Sequence, residues 1–234
     1  MINESHFNPE SNIPAAQEKE GATENPTLEP QSVVDPETQA VEDAGMAAKI
    51  QADKEQLAEI RRSLREMSDG AEAGETIDDV KEQIFTMTLA DQYTRENWET
   101  AGYDPEIDKT NTELLQKIIQ KHGWPTISKF GEQASQDAWL IAQHADHDVA
   151  FQEQCLEMMK ANKEDIDRTC IAYLEDRVLK NTHKPQKYGT QFMVEDDGKL
   201  VPYAIEDIED IEKRRSEAGL EPYADYYKRM TEKQ

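Results

Sequence analysis

The chain has 234 residues, with 26 Lys+Arg against 50 Asp+Glu for a formal net charge of −24, and only 36 % hydrophobic residues. That acidity excludes a nucleic-acid-coating surface, which needs clustered Lys and Arg. The longest apolar runs, such as residues 138–142, fall far short of the roughly 20 residues of a spanning helix, which excludes a helical membrane protein.

Residues 1–45 hold ten acidic residues against Lys19 alone, and five of the ten prolines. Such a segment cannot bury enough apolar area to offset the entropy of ordering it. We read residues 1–43 as a disordered acidic leader. Met1–His6 has neither the basic nor the apolar region of a secretory signal. An extra amphipathic helix is predicted over about 44–67, with a linker through residue 76. Its Ile50, Leu57, Ile60, Leu64 and Met67 recur at seven, three, four and three residues, a narrow coiled-coil-like seam. Asp53 interrupts it and fewer than three heptads are present, so a helix laid on its own domain or standing free is favoured over a dimer.

From residue 77 to 234 the pattern is that of a helical domain. Helices are predicted over 77–99 (Val80, Ile84, Met87, Leu89, Trp98), 108–122 (Leu114, Leu115, Ile118, Ile119), 128–145, 149–160 (Phe151, Cys155, Leu156, Met159) and 163–180 (Ile166, Cys170, Tyr173, Leu174, Val178). Gly123-Trp124-Pro125-Thr126 stops the second. Residues 191–194 and 199–202 flank Glu195-Asp196-Asp197-Gly198, a hairpin turn sequence. Helices over 207–217 and 223–230 close the chain. The expected class is mainly α: a compact domain of five to six helices with one short β-hairpin. Cys155 and Cys170 show neither CxxC nor zinc spacing and read as small buried hydrophobes in a reducing cytoplasm.

Two polar constellations stand out. In Gln143-His144-Ala145-Asp146-His147-Asp148, on a continuing helix, His144, His147 and Asp148 would share a face. That spacing can serve a metal, or Asp146 or Asp148 caps the next helix while His144 packs in the core, or the group forms a polar site without metal. In the second, Arg177 between Leu174 and Val178 is half-buried and needs a carboxylate, with Asp146, Asp148 and Asp91 available. Downstream, Tyr188-Gly189-Thr190 is either a turn that holds a polar ligand or a loop-to-strand junction that requires glycine.

These segments carry a resemblance. Asp91-Gln92-x-x-Arg95, Gly123-Trp124-Pro125-Thr126, Trp139-Leu140-Ile141-x-Gln143-His144-Ala145-Asp146-x-Asp148-x-x-Phe151-Gln152, Ala172-Tyr173-Leu174-x-Asp176-Arg177-Val178, Pro185-Gln186-x-Tyr188-Gly189-Thr190-Gln191 and Arg214-Arg215-x-x-x-Gly219 occur in order. From about residue 89 to 230 the chain resembles a bacterial family described only as a domain of unknown function. His183 stands where the resemblance implies glycine. The resemblance supplies no activity. It implies a polar pocket between helices, lined by Gln143, His144, Asp146, Asp148, Asp176, Arg177, Tyr188 and Gln191. Asp91, Arg95, Gln186 and Thr190 complete the ligand-binding candidates.

Three readings follow. A binding domain would hold a small polar or anionic ligand, with Arg177 as a bidentate fork. A hydrolase or transferase would use His144 as general base, oriented by Asp146 or Asp148, with Arg177 stabilising negative charge. A structural polar network would fix helix docking. No cofactor is implied and no metal is assigned. Nucleic acid and membrane are excluded as partners, and the oligomeric state is left open. His144 and Arg177 are expected to face one pocket with Tyr188 at its rim, and one of Asp146, Asp148 and Asp176 to pair with Arg177.

Overall fold

A computed structural model describes residues 36–70, 76–196 and 198–232. The leader over residues 1–35 and most of the linker lie outside them. The first helix, α1 (Pro36–Gly70), begins eight residues earlier than the apolar seam predicted, so residues 36–43 are helical. The seam packs inward: Leu57 and Leu64 are buried, and Ile60 and Met67 rest against the same core. α1 lies on α2 (Ile77–Glu96), α3 (Trp98–Ala101) and α4 (Pro105–His122). Burying each leucine contributes about 1.5–3 kcal/mol.

α2 opens on a reciprocal cap, in which Thr76 accepts from Asp79 N–H and Asp79 accepts from Thr76 N–H. Val80, Ile84 and Met87 face the core as expected. Leu89 and Trp98 do not: Leu89 is exposed because the stripe of α2 drifts past it, and Trp98 lies outside α2 at the start of α3 and is also exposed. The helix predicted over 128–145 is two. α5 (Ile127–Phe130) ends at Gly131, whose φ of 85° only glycine adopts readily, and α6 (Glu132–His144) restarts behind it. α6 is the central helix. Every residue from Asp137 to Ala145 is buried, and α2, α4, α5, α7 (Val149–Ala161) and α8 (Arg168–Asn181) all pack on it.

α8 starts five residues later than predicted, because Asp167 caps it by accepting from Thr169 N–H. Its end confirms the irregular position: His183 takes φ 59°, the left-handed conformation glycine would favour. β1 (Phe192–Val194) and β2 (Leu200–Pro202) form the expected antiparallel hairpin, in the register Phe192↔Pro202, Met193↔Val201 and Val194↔Leu200. A 3-10 turn precedes α9 (Ile211–Glu217), and α10 (Tyr223–Thr231) packs back on β2. Among the described residues the domain beyond α1 therefore has nine α-helices rather than five or six. Glycine breaks account for two of the extra helices, since α3 and α5 are single turns closed by Gly102 and Gly131. Both cysteines are free and buried. No described helix is long and apolar enough to cross a membrane.

Candidate functional site

The predicted residues fall into two networks rather than one pocket. The first joins α2, α4 and the end of α6. His144 Nδ1 lies 2.8 and 3.0 Å from the Asp91 carboxylate oxygens. Arg95 Nη1 donates to Asp91 at 2.7 Å, and both Arg95 Nη atoms donate to Asp108 at 3.0–3.1 Å. Tyr103 O–H donates to Asp108 and its ring lies under the Arg95 guanidinium, 5.6 Å away. Asp91, Arg95, Asp108 and His144 are at most 7 % exposed, while Tyr103 is exposed. Burial alone would raise the Asp91 pKa, but His144 and Arg95 outweigh it and hold the carboxyl below its usual range. Asp91 is therefore the acceptor and His144 Nδ1 carries the proton. Arg95 is pushed up in turn by Asp91 and Asp108, against its own burial. The expected orienting carboxylates of His144, Asp146 and Asp148, are not its partners.

Asp148 instead caps α7, accepting from Phe151 N–H at 3.0 Å, and takes a longer bond from Gln116. The helix ends at His144, so His144, His147 and Asp148 do not continue on one helical face. Among the described residues no group of three His, Cys, Asp or Glu side chains is placed to hold a metal ion.

The second network ties α8 to the loop before the hairpin. Arg177 grips Asp146 with Nε at 2.8 Å and Nη2 at 2.5 Å, the fork expected of it, and donates to Gln191 Oε1 at 3.0 Å. Burial works against ionising Asp146, yet Arg177, Asn181 and Gln152 hold its pKa down at about 2. Gln152, which sequence reasoning overlooked, donates to the carbonyls of Ala142 and Gln143 and to Asp146.

Asp176, wholly buried, is wrapped by the loop. It accepts from the N–H groups of Lys187, Tyr188 and Thr190 and from the Thr190 hydroxyl, at 2.7–3.1 Å. Burial raises its pKa, against those same bonds. The loop's donors, expected to meet a ligand, thus grip the chain's own carboxylate. Gln186 is saturated in the same way: Nε2 donates to the carbonyls of Gln191 and Tyr203, and Oε1 accepts from Gln191 N–H. Tyr188 O–H donates to Glu175. Gly189 is required on two counts: its φ is 71°, and a Cβ there would meet the Tyr223 ring at 2.6 Å.

Arg215 closes this region from the C-terminal side. It donates to the carbonyls of Glu221 and Tyr188 at 2.7 and 2.6 Å, with the Tyr226 ring 4.8 Å from its guanidinium. Tyr226 O–H donates to Thr190 O, and its ring meets Tyr173 and Phe192 edge-on. Asp108, Tyr103, Gln152 and Arg215 are the members that sequence reasoning missed as site residues. Gln152 and Arg215 carried a signal, each as part of a sequence motif. Lys187 and Lys160 neutralise Glu175 at the edge of the network.

A groove of about 780 Å³ between α4 and α7 is lined by none of the predicted site residues. Comparison with curated proteins and with solved structures gives no match. A family model matches residues 78–234, about two thirds of the chain, and the protein belongs to the family of unknown function DUF6624.

Proposed function

We propose that the polar motif residues form the structural core of a non-catalytic domain. They lock the 185–191 loop, the hairpin and the C-terminal helices onto the helical bundle. The observation that carries this reading is the saturation of Asp176, a fully buried carboxylate whose donors all come from its own chain. A ligand site leaves polar groups open to the ligand, whereas the buried carboxylates here are paired within the chain, which fixes geometry, though Gln143 Oε1 and Arg215 Nη2 stay unpartnered among the described residues. The test is amide hydrogen exchange of Asp176→Asn. Protection should fall across residues 187–191 and in α10 while α2, α4 and α6 keep theirs. Thermal shift with inorganic phosphate, simple dicarboxylates and nucleotides should leave the wild-type Tm unchanged. A Tm rise with any of them that disappears in Arg177→Ala replaces this reading with the binding domain.

One feature favours a second reading. Asp91 holds His144 by Nδ1, and no described residue hydrogen-bonds Nε2. A hydrolase or transferase would use that atom as general base, with Asp91 as the orienting carboxylate. Turnover of ester or phosphoester probes, lost in both His144→Gln and Asp91→Asn, is the result that supports it.

A further inference from the structure

We propose that the groove between α4 and α7 docks a basic amphipathic helix of a partner protein. This surface is separate from the polar networks, and the inference stands whether those networks are structural or catalytic. Both α4 and α7 pack on α6, but among the described residues they do not pack on each other. The gap between them is the groove of about 780 Å³. Its apolar lining is Ile119 from α4 and Ala150, Phe151 and Met158 from α7. Glu153 and Glu157, one turn apart on α7 and both exposed, stand at its wall with glutamines, and no Lys, Arg or His lines it.

A groove between two helices, with half-buried Ile119 and Met158 and exposed Ala150 on its lining, can receive the apolar face of a third. Charge selects the occupant. The chain's own residues 1–35 carry seven acidic residues against Lys19, so the leader would meet Glu153 and Glu157 with like charge. A second copy docking groove to groove would set the same two glutamates against themselves. A separate helix with Leu, Ile or Phe at i, i+3/i+4 and i+7, and Lys or Arg beside them, satisfies both the lining and the wall. The net charge of −24 draws such a partner in from a distance.

The experiment uses the full chain and a fluorescein-labelled Leu/Lys peptide at helical spacing, about 18 residues or five turns long, read by fluorescence anisotropy. Two peptides serve as controls: a scramble of the same composition and a version with Glu for Lys. Ala150→Arg places bulk and positive charge in the groove from an exposed position. Glu153→Lys/Glu157→Lys reverses the wall. Glu209→Lys/Glu217→Lys makes the same charge change on exposed positions of the C-terminal segment. The Leu/Lys peptide should bind, with Kd raised about tenfold by either groove variant and less than about twofold by the C-terminal pair. Circular dichroism melts establish that each variant folds; should Ala150→Arg not fold, the exposed Glu153/Glu157 pair decides alone. Equal binding of the scramble, equal weakening by the C-terminal pair, or unchanged affinity in the groove variants overturns the proposal.

Discussion

Asp137 is a buried acid with no cation beside it among the described residues. It lies on the central helix α6 at 5 % exposure, and among the described residues its one hydrogen bond is from Gln133 Nε2 at 3.0 Å. Burial raises its pKa from 3.8 to about 6, with Gln133 opposing only in part. The sign is that of an acid whose ionised form the fold disfavours. Below pH 3.8 both states are protonated and the group is neutral to stability. Between 3.8 and about 6 the unfolded chain ionises while the fold still holds its proton, so stability falls as pH rises. Above that window both are ionised, and the accumulated loss is about 3 kcal/mol. Asp137→Asn keeps the shape and an oxygen for Gln133 but removes the ionisation. It should stabilise the protein by about 2–3 kcal/mol at pH 7.5, raising Tm by about 4–10 °C for a domain of this size. The gain should shrink through pH 5 and vanish near pH 4. Paired thermal melts of wild type and variant at pH 4, 5, 6 and 7.5 read this difference, since other acid-sensitive groups are common to both. A gain that is independent of pH, or none at pH 7.5, refutes the account.

Arg177→Ala should destabilise by about 1–2 kcal/mol in urea titrations, less than a fully buried pair would cost, because the Asp146 side chain left behind is 43 % exposed and can hydrate. The same pair sets an acid limit: with Asp146 held at about 2 against 3.8 unfolded, its contribution is complete above pH 3.8 and is lost as pH falls toward 2, so wild type and Asp146→Asn should converge there in acid titrations. His183→Gly should stabilise by about 1 kcal/mol, because the left-handed φ of 59° strains any side chain but suits glycine. Leu64→Ala should cost about 2–5 kcal/mol if α1 is part of the core, while Met46→Ala on its exposed stretch should be neutral in the same chemical melts.

The helical class was legible because apolar residues recur at helical spacing, and that periodicity survives in Val80, Ile84 and Met87, in Leu114, Leu115 and Ile118, and in Phe151, Cys155 and Met159. Boundaries were less so. Gly131 reads as one tolerated glycine in a helical run until its positive φ is seen, and Asp167 as a cap looks no different from the acids around it. Arg177's need for a carboxylate was legible from its apolar neighbours, and Asp146 answered it. The partner of His144 was not, because Asp91 lies 53 residues away and nothing in either segment encodes which acid it meets. Asp108 hid for a related reason: it lies in the first turn of α4, where an acid already has a sufficient explanation in the helix dipole.

The polar networks make sense as the counterpart of a thin apolar share. With 36 % hydrophobic residues, burial alone leaves several dockings of short helices close in energy. A buried ion pair adds little net stability, because desolvation offsets most of its attraction. Its effect is on the alternatives. If α2 slipped one turn along α6, Asp91 would lose His144, and the Arg95 that moves with it would leave Asp108 of α4 unpaired. If the 185–191 loop shifted by one residue, Asp176 would face carbonyls in place of N–H groups. Each wrong docking then carries an unpaired charge that costs several kcal/mol, while in the native one Asp91, Asp108, Asp146 and Asp176 are all hydrogen-bonded. The apolar core of α6 decides that the helices gather, and Asp91, Asp146 and Asp176 decide the register in which they do.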